Sequence, residues 1–251
     1  MPRTIMYYQT FSGLGPYKTQ PCPLTHIHVA AVHFDALPTP RIHLNDDDPC
    51  SAGFDAMWAD VQDLVSTYGV TAVLMVGGAG GAFQTLFSDF VTYYPMLRDL
   101  LRAKPFITGV DLDVEEPTDP AALRTLILAL QDEGLFVTMA PLIGSLQADV
   151  PGMGGFCYKT LLADPAIRVA YLNAQAYNGS FTADDYSRAV ANGYPAHLVV
   201  LGMMSGQPPL DEAVAVAQQL ATQYPDFGGV FDWELSDAAP GWADRMKFTL
   251  K

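Results

Sequence analysis

Basic residues are scarce in this chain: 13 Lys and Arg stand against 27 Asp and Glu in 251 residues, a formal net charge of -14. A surface of that sign repels phosphate backbones and anionic headgroups, so neither nucleic acid nor a membrane is expected as a partner, and a neutral ligand is. Cysteine is equally sparse. Cys22, Cys50 and Cys157 are odd in number, far apart and without a CxxC pair, which argues against a disulfide framework and a zinc cluster and leaves room for one bridge at most. No apolar run reaches the ~18 residues of a membrane span. The N-terminus passes almost directly into Thr4-Ile-Met-Tyr-Tyr8, which reads as a strand and not a signal peptide; the expected compartment is the cytosol, or outside the cell if a signal was removed ahead of this numbering. There is no GxSxG, and Ser145 and Ser205 fall in predicted loops with no suitably placed histidine, so a serine-hydrolase triad is not expected.

What is present is a chain that is 50% hydrophobic and 16% charged, long enough for one large core and of the usual size of a (β/α)8 TIM barrel. The expected organisation is a single α/β domain over residues 1–251. Apolar runs at 4–8, 26–33, 71–77, 108–115, 135–140, 168–177, 197–203 and 228–233 read as strands. Between them, helical periodicity appears at 54–65 with Gly69 as its stop, from Thr85, from Pro95 as a first-turn proline to Lys104, at 121–133 closed by Gly134, at 158–163, at 182–192 capped by Thr182, at 211–224 and at 241–248. Eight strands alternating with helices at this pace predict the barrel.

The stretch Thr108-Gly-Val-Asp-Leu-Asp-Val-Glu115 is the one around which the rest is organised. Side chains alternate along a strand, so Asp111, Asp113 and Glu115 share one face and Val110, Leu112 and Val114 the other. Same-face neighbours lie about 6.5 to 7 Å apart, close enough for each carboxylate to feel the next, and at least one should hold a proton near neutrality. By itself an acidic trio could bind a divalent metal or form an exposed polar face; the wholly aliphatic opposite face favours a barrel wall packed on helices with chemistry at its mouth. A protonated acid beside ionised ones suits glycosidic bond cleavage.

In such barrels the working residues stand at the C-terminal ends of strands. Here those are Tyr8, His33, Gly77, Gly78, Glu115, Met139, Gln175, Tyr177, Met203 and Trp233. The glycine cluster Gly77–Gly81 lacks the GxGxxG spacing and reads as a tight strand-to-helix turn where a ligand or backbone comes close. His26-Ile-His28 could begin a metal site, but His197 alone appears later and at the wrong end of its strand, so these histidines read as structural and no cofactor or metal is expected.

These residues carry a likeness. Gly109-Val-Asp-Leu-Asp-Val-Glu115 resembles the DGxDxDxE signature of glycoside hydrolase family 18, the chitinase and endo-N-acetylglucosaminidase family; Gln175-Ala-Tyr177-Asn178 resembles its QxYN, and Gly228-Gly-Val leading to Trp233 its last strand. Two positions depart: Thr108 stands where the signature has its first Asp, and Met75-Val-Gly77-Gly78 where the family has SxGG. The resemblance implies a monomeric enzyme with no cofactor, acting on N-acetylglucosamine-containing chains with retention by a substrate-assisted route. It implies that Glu115, kept protonated by burial, is the acid; that Asp113 holds the substrate acetamido N–H; that Asp111 shares a proton beneath it; and that Tyr177 binds the acetamido oxygen. Tyr8, Gly78, Met139, Gln175, Asn178 and Trp233 would contact sugar, with Trp233 as the stacking floor. Chitin or its oligomers are the first substrate this implies; N-glycan cores, or binding without cleavage, are the alternatives.

Overall fold

A computed structural model describes residues 1–36 and 38–250. Among the described residues nine strands form: β1 (Arg3–Tyr8), β2 (His26–Asp35), β3 (Arg41–Leu44), β4 (Thr71–Gly77), β5 (Ile107–Asp113), β6 (Phe136–Met139), β7 (Val169–Gln175), β8 (Val199–Met204) and β9 (Gly229–Trp233). Eight of them pair in parallel, β1 with β2, β2 with β4, onward to β9, and β9 back to β1. The ring therefore closes, and the fold is a (β/α)8 TIM barrel. The ninth, β3, was not expected; it lies antiparallel on β2, pairing His33 with His43 and Asp35 with Arg41, and prolongs that strand above the barrel mouth.

The surrounding helices are α1 (Asp55–Tyr68), α2 (Phe83–Ser88), α3 (Phe90–Ala103), α4 (Pro120–Asp132), α5 (Gly144–Gln147), α6 (Tyr158–Leu162), α7 (Ala183–Ala191), α8 (Leu210–Gln223) and α9 (Trp242–Thr249). Gly69 ends α1 at φ 71°, and the Thr182 side chain caps α7 by accepting from the Asp185 amide. One expected start is corrected: Pro95 lies inside α3, because Asp89 caps that helix by accepting from Thr92 N. The proline forgoes one intrahelical bond there, and the helix is held by Tyr93, Leu97, Leu100 and Leu101, all buried. All three cysteines are free thiols. No helix among the described residues is long and apolar enough to cross a membrane.

Two layers of side chains position the site. Val110, Leu112 and Val114 join the large cluster between strands and helices, together with residues such as Leu123 and Leu126 of α4. Inside the ring a smaller cluster of Ile5, Tyr7, Ala30, Ala31, Met75, Tyr171, Val200 and Phe231 fills the barrel. Burying each such side chain contributes about 1.5 to 3 kcal/mol. Two glycines make room for the inner rings: a Cβ on Gly109 would come within 2.4 Å of the Phe136 ring, and one on Gly202 within 1.8 Å of the Phe231 ring.

Candidate active site

Asp111 is the lowest of the three acids and has no exposed surface. Its Oδ2 accepts from Tyr7 Oη at 2.6 Å, and its Oδ1 from Asn173 Nδ2 at 3.2 Å and from the Thr138 hydroxyl. His28 Nδ1 lies 3.4 Å from Oδ2, while His28 Nε2 is 3.1 Å from Tyr171 Oη. Burial alone pushes this carboxyl up; His28, then Thr138 and Tyr7, outweigh it and hold Asp111 below the usual carboxylate range. Asp111 is thus a solvent-free anion kept charged by donors from β1, β2, β6 and β7.

Asp113, one pleat higher and only 6% exposed, has one donor: Gln175 Nε2 at 3.0 Å from Oδ1. Burial, then the charges of Glu115 and Asp111, drive its carboxyl well above the usual range. Asp113 is therefore the carboxyl of the trio that is pushed up; the proton was expected on Glu115. The same Gln175 nitrogen donates to Ala140 O at 2.9 Å and stands 3.5 Å from Glu115 Oε1. Gln175 has two amide protons for these three acceptors, of which Asp113 and Ala140 are the nearer; a sugar contact was expected of it.

Glu115 stands two residues past the last residue of β5, half-buried and turned to Gln175; burial beside anions, at the mouth, was expected of it. Its neighbour Glu116 points the other way: Oε1 accepts from Phe83 N at 2.6 Å, from Ala82 N at 2.5 Å and from Gln84 N at 3.3 Å, capping α2. These adjacent glutamates, both beyond the end of β5, divide into one turned to Gln175 and one that holds a helix.

Gly77 and Gly78 sit at φ 95° and 84°, and Gly78 N donates to Asp113 O at 2.8 Å. A Cβ on Gly77 would lie 2.3 Å from that carbonyl, and one on Gly78 3.3 Å from Asp113 Oδ2. The close backbone approach expected of the glycine cluster is between β4 and β5, and it keeps the space above Asp113 open. Met75, which pairs in register with Asp111, fills the barrel interior, and Thr138 and Asn173 supply Asp111 with donors. Thr108 is exposed, away from the acids.

Tyr177 and Trp233 are half-buried on the inner cluster, Tyr177 edge-on to Phe231 at 6.4 Å and Trp233 tilted against Tyr7 at 5.1 Å. Burial, then Asp113, raises the Tyr177 hydroxyl well above its usual value, so it meets a ligand as a neutral donor. Asn178 is exposed, at φ 55°. Two expected contacts are placed elsewhere. Tyr8 is fully buried in the outer cluster, its hydroxyl accepting from Gly13 N at 3.1 Å, and Met139 is fully buried in that cluster too. Their neighbours Tyr7 and Thr138 face inward. His33 binds Gly81 O through Nδ1 at 2.7 Å, and Met203 accepts from the Trp242 indole.

An open cleft of about 760 Å³ is lined by Gln9, Thr10, Phe11, His33, Asp35, His43, Asn45, Asp46, Asp47 and the 79–81 turn, and none of the three stacked acids is part of its lining. The β2–β3 hairpin forms one wall. At its end the Glu234 carboxylate accepts from Thr10 Oγ1 at 3.1 Å, from Gln9 N at 3.3 Å and from Ser236 N at 2.9 Å, tying the first loop to the last strand. The arrangement offers one half-buried acid at the rim, a neutral acid and an anion stacked below it, a phenol and an indole: a set suited to a neutral, hydroxyl- and amide-bearing ligand.

No protein-family model and no curated protein matches the chain. Among solved structures it is similar to a fungal endo-β-N-acetylglucosaminidase from glycosyl hydrolase family 18, with TM-score 0.90 and 29% identity over 100% of this chain and 99% of that one. It is similar also to a chitinase from Aspergillus fumigatus, with TM-score 0.87 and 30% identity over 100% of both chains. A family 18 chitinase from the chitin utilization locus of Flavobacterium johnsoniae shares the fold, with TM-score 0.70 and 13% identity over 99% of this chain and 94% of that one.

Proposed function

The chain belongs to glycosyl hydrolase family 18, and from that membership we propose that it hydrolyses β-1,4-linked N-acetylglucosamine oligomers or chitin with retention of configuration. The observation that carries this reading is the acid column: Glu115 at the rim, tied through Gln175 to a neutral Asp113, over an ionised Asp111. Glu115 protonates the glycosidic oxygen. The attack comes from the substrate's own 2-acetamido carbonyl, since the other carboxylates near the mouth are committed: Glu116 caps α2, and Glu234 holds the amides of Gln9 and Ser236. Family 18 is among the exceptions to the two-carboxylate scheme for this reason.

Asp113 meets the acetamido N–H as the oxazolinium ring closes. Positive charge growing beside it favours its ionised form, so Asp113 passes its proton down to Asp111 and becomes the counter-ion of the intermediate. Tyr177 donates to the acetamido oxygen, and Trp233 lies beneath the pyranose as a stacking surface. A second reading is an endo-N-acetylglucosaminidase that cuts N-glycan cores. It is favoured by the likeness to a fungal enzyme of that activity.

Release of chito-oligosaccharides by the native protein and by Glu115→Gln tests the proposal. The variant is expected to lose about 10² to 10⁴-fold in kcat, the usual worth of a general acid; equal rates dispose of Glu115. NMR of the first product should show the β anomer, and an α product rejects the acetamido route. Offering a high-mannose glycoprotein beside chitin separates the two substrates, and binding without turnover of either marks a carbohydrate-binding protein.

A further inference from the structure

One buried acid lies outside the column. On β9, Phe231 and Trp233 face the barrel interior and Val230 the outer layer, so alternation puts Asp232 on the outer face, behind the aromatic floor. It has no exposed surface. Oδ1 is 3.0 Å from Ser205 Oγ, and Oδ2 has no hydrogen-bond partner among the described residues. Ser205, just past the end of β8, also clasps the turn after β9: its amide donates to Trp233 O at 2.8 Å, and its Oγ is 2.9 Å from Glu234 O.

The protons here can be counted. Ser205 has one hydroxyl proton and two oxygens in reach, Asp232 Oδ1 and Glu234 O. If Asp232 is ionised, both are acceptors and the hydroxyl can serve only one of them. If Asp232 is protonated, it donates to Ser205 Oγ, Ser205 donates to Glu234 O, and both short contacts become hydrogen bonds.

We propose that Asp232 is a positioning residue acting in its neutral form: through Ser205 it fixes the Trp233–Glu234 turn and hence the Trp233 ring beneath the sugar, and its ionisation weakens sugar binding as pH rises. The proposal rests on the reading of Trp233 as the sugar floor. The titratable groups that face Asp232 do not favour its charge. They are Glu234 and Asp237 from the same turn, Tyr17 from the first loop and Tyr177 from the loop after β7. Burial first, then Glu234 and Asp237, push the carboxyl up to about 7 against the pull of Ser205 and of the Trp233 backbone.

Asp232→Asn tests this, because the amide keeps the shape, stays neutral and can donate Nδ2–H to Ser205. Hydrolysis of a chito-oligosaccharide is measured at about pH 5 and about pH 8.5, either side of the titration. The native KM should rise about fivefold at the higher pH, the worth of one hydrogen bond. The Asn variant should show no such rise, and Ser205→Ala should bind weakly at both. A substrate-free readout accompanies it: tryptophan emission of the native protein should step near pH 7, and that of Asp232→Asn should not. The same alkaline rise in KM, or the same emission step, in native protein and Asp232→Asn overturns the proposal. If neither protein cleaves or binds any N-acetylglucosamine chain, the functional reading falls, and the emission titration alone decides the role of Asp232.

Discussion

Asp111 and Asp232 are both carboxyls without exposed surface, yet the protein holds them in opposite states. Asp111 lies inside the ring, where Tyr7, Thr138, Asn173 and His28 converge on it from four strands, and it stays below the usual carboxylate range. Asp232 lies outside the ring with the Ser205 hydroxyl and the Trp233 backbone pulling on it and a second oxygen without a side-chain partner among the described residues, and it rises to about 7. Burial is common to the two and so cannot explain the difference. What separates them is the number of donors aimed at the carboxylate, and a closed barrel supplies many donors only to its axis, where every strand contributes a side chain.

The largest effect is expected at Asp111→Asn. The amide presents N–H to hydroxyls that are there to donate, so bonds to a charged acceptor are lost and a donor is left unmet, at a cost of about 3 kcal/mol in urea unfolding. Without the charge below it, Asp113 also loses part of what raises it, so the pH–rate profile should shift to lower pH. The signs of linkage oppose each other at the two sites. Asp111, lowered from 3.8, contributes stability that is present above that value and lost as pH falls through its folded pKa. Asp232, raised from 3.8 to about 7, contributes stability that is full below 3.8 and lost as pH rises through about 7. Asp111→Asn should therefore lack the native loss at acid pH, and Asp232→Asn the native loss between about pH 4 and 7. Parallel curves for native and variant at either site break the contrast.

The middle-sized effect compares adjacent tyrosines. Tyr7→Phe removes a 2.6 Å bond to an anion and should cost about 1.5 to 3 kcal/mol, raise the Asp111 carboxyl toward the state of Asp232, and lower kcat. Tyr8→Phe removes a bond from the Gly13 amide in the outer layer, should cost about 1 kcal/mol or less, and should leave kcat alone. This pair also marks what the sequence could reveal. In β5 the acids alternate with aliphatics, so the inner face was legible before any coordinates. In Thr4-Ile-Met-Tyr-Tyr8 and in the strand ending at Met139 nearly every residue is apolar, because both faces are buried, and nothing in the pattern says which parity points inward. Tyr8 and Met139 were expected at the mouth for that reason, while Tyr7 and Thr138 were passed over. Asn173 and Gln175 share a parity on β7 and, once that strand is placed beside β5, name each other; His28 offered no signal beyond being a histidine in a buried strand. Ser205, Asp232 and Glu234 meet only through the turn after β9, which no local pattern encodes.

The smallest effect is expected from a third carboxyl placed where neither donors nor burial act on it. Thr108→Asp restores the acid that the family signature carries at the start of β5, but position 108 is exposed and lies with Arg98, Arg102 and Glu133 at the opposite end of the strand from Glu115. Arg102 is already engaged by Glu133 at 2.9 and 3.0 Å, so the new acid can draw at most a surface ion pair worth about 0 to 1 kcal/mol, offset by the poor strand propensity of Asp. Stability should stay within about 0.5 kcal/mol of native, and kcat/KM should be unchanged. A shift of more than about threefold in kcat/KM, roughly 0.65 kcal/mol in transition-state free energy, would mean that charge at the foot of β5 reaches the column through the strand. The donors around Asp111 would then not be the whole account of how the two buried acids come to differ.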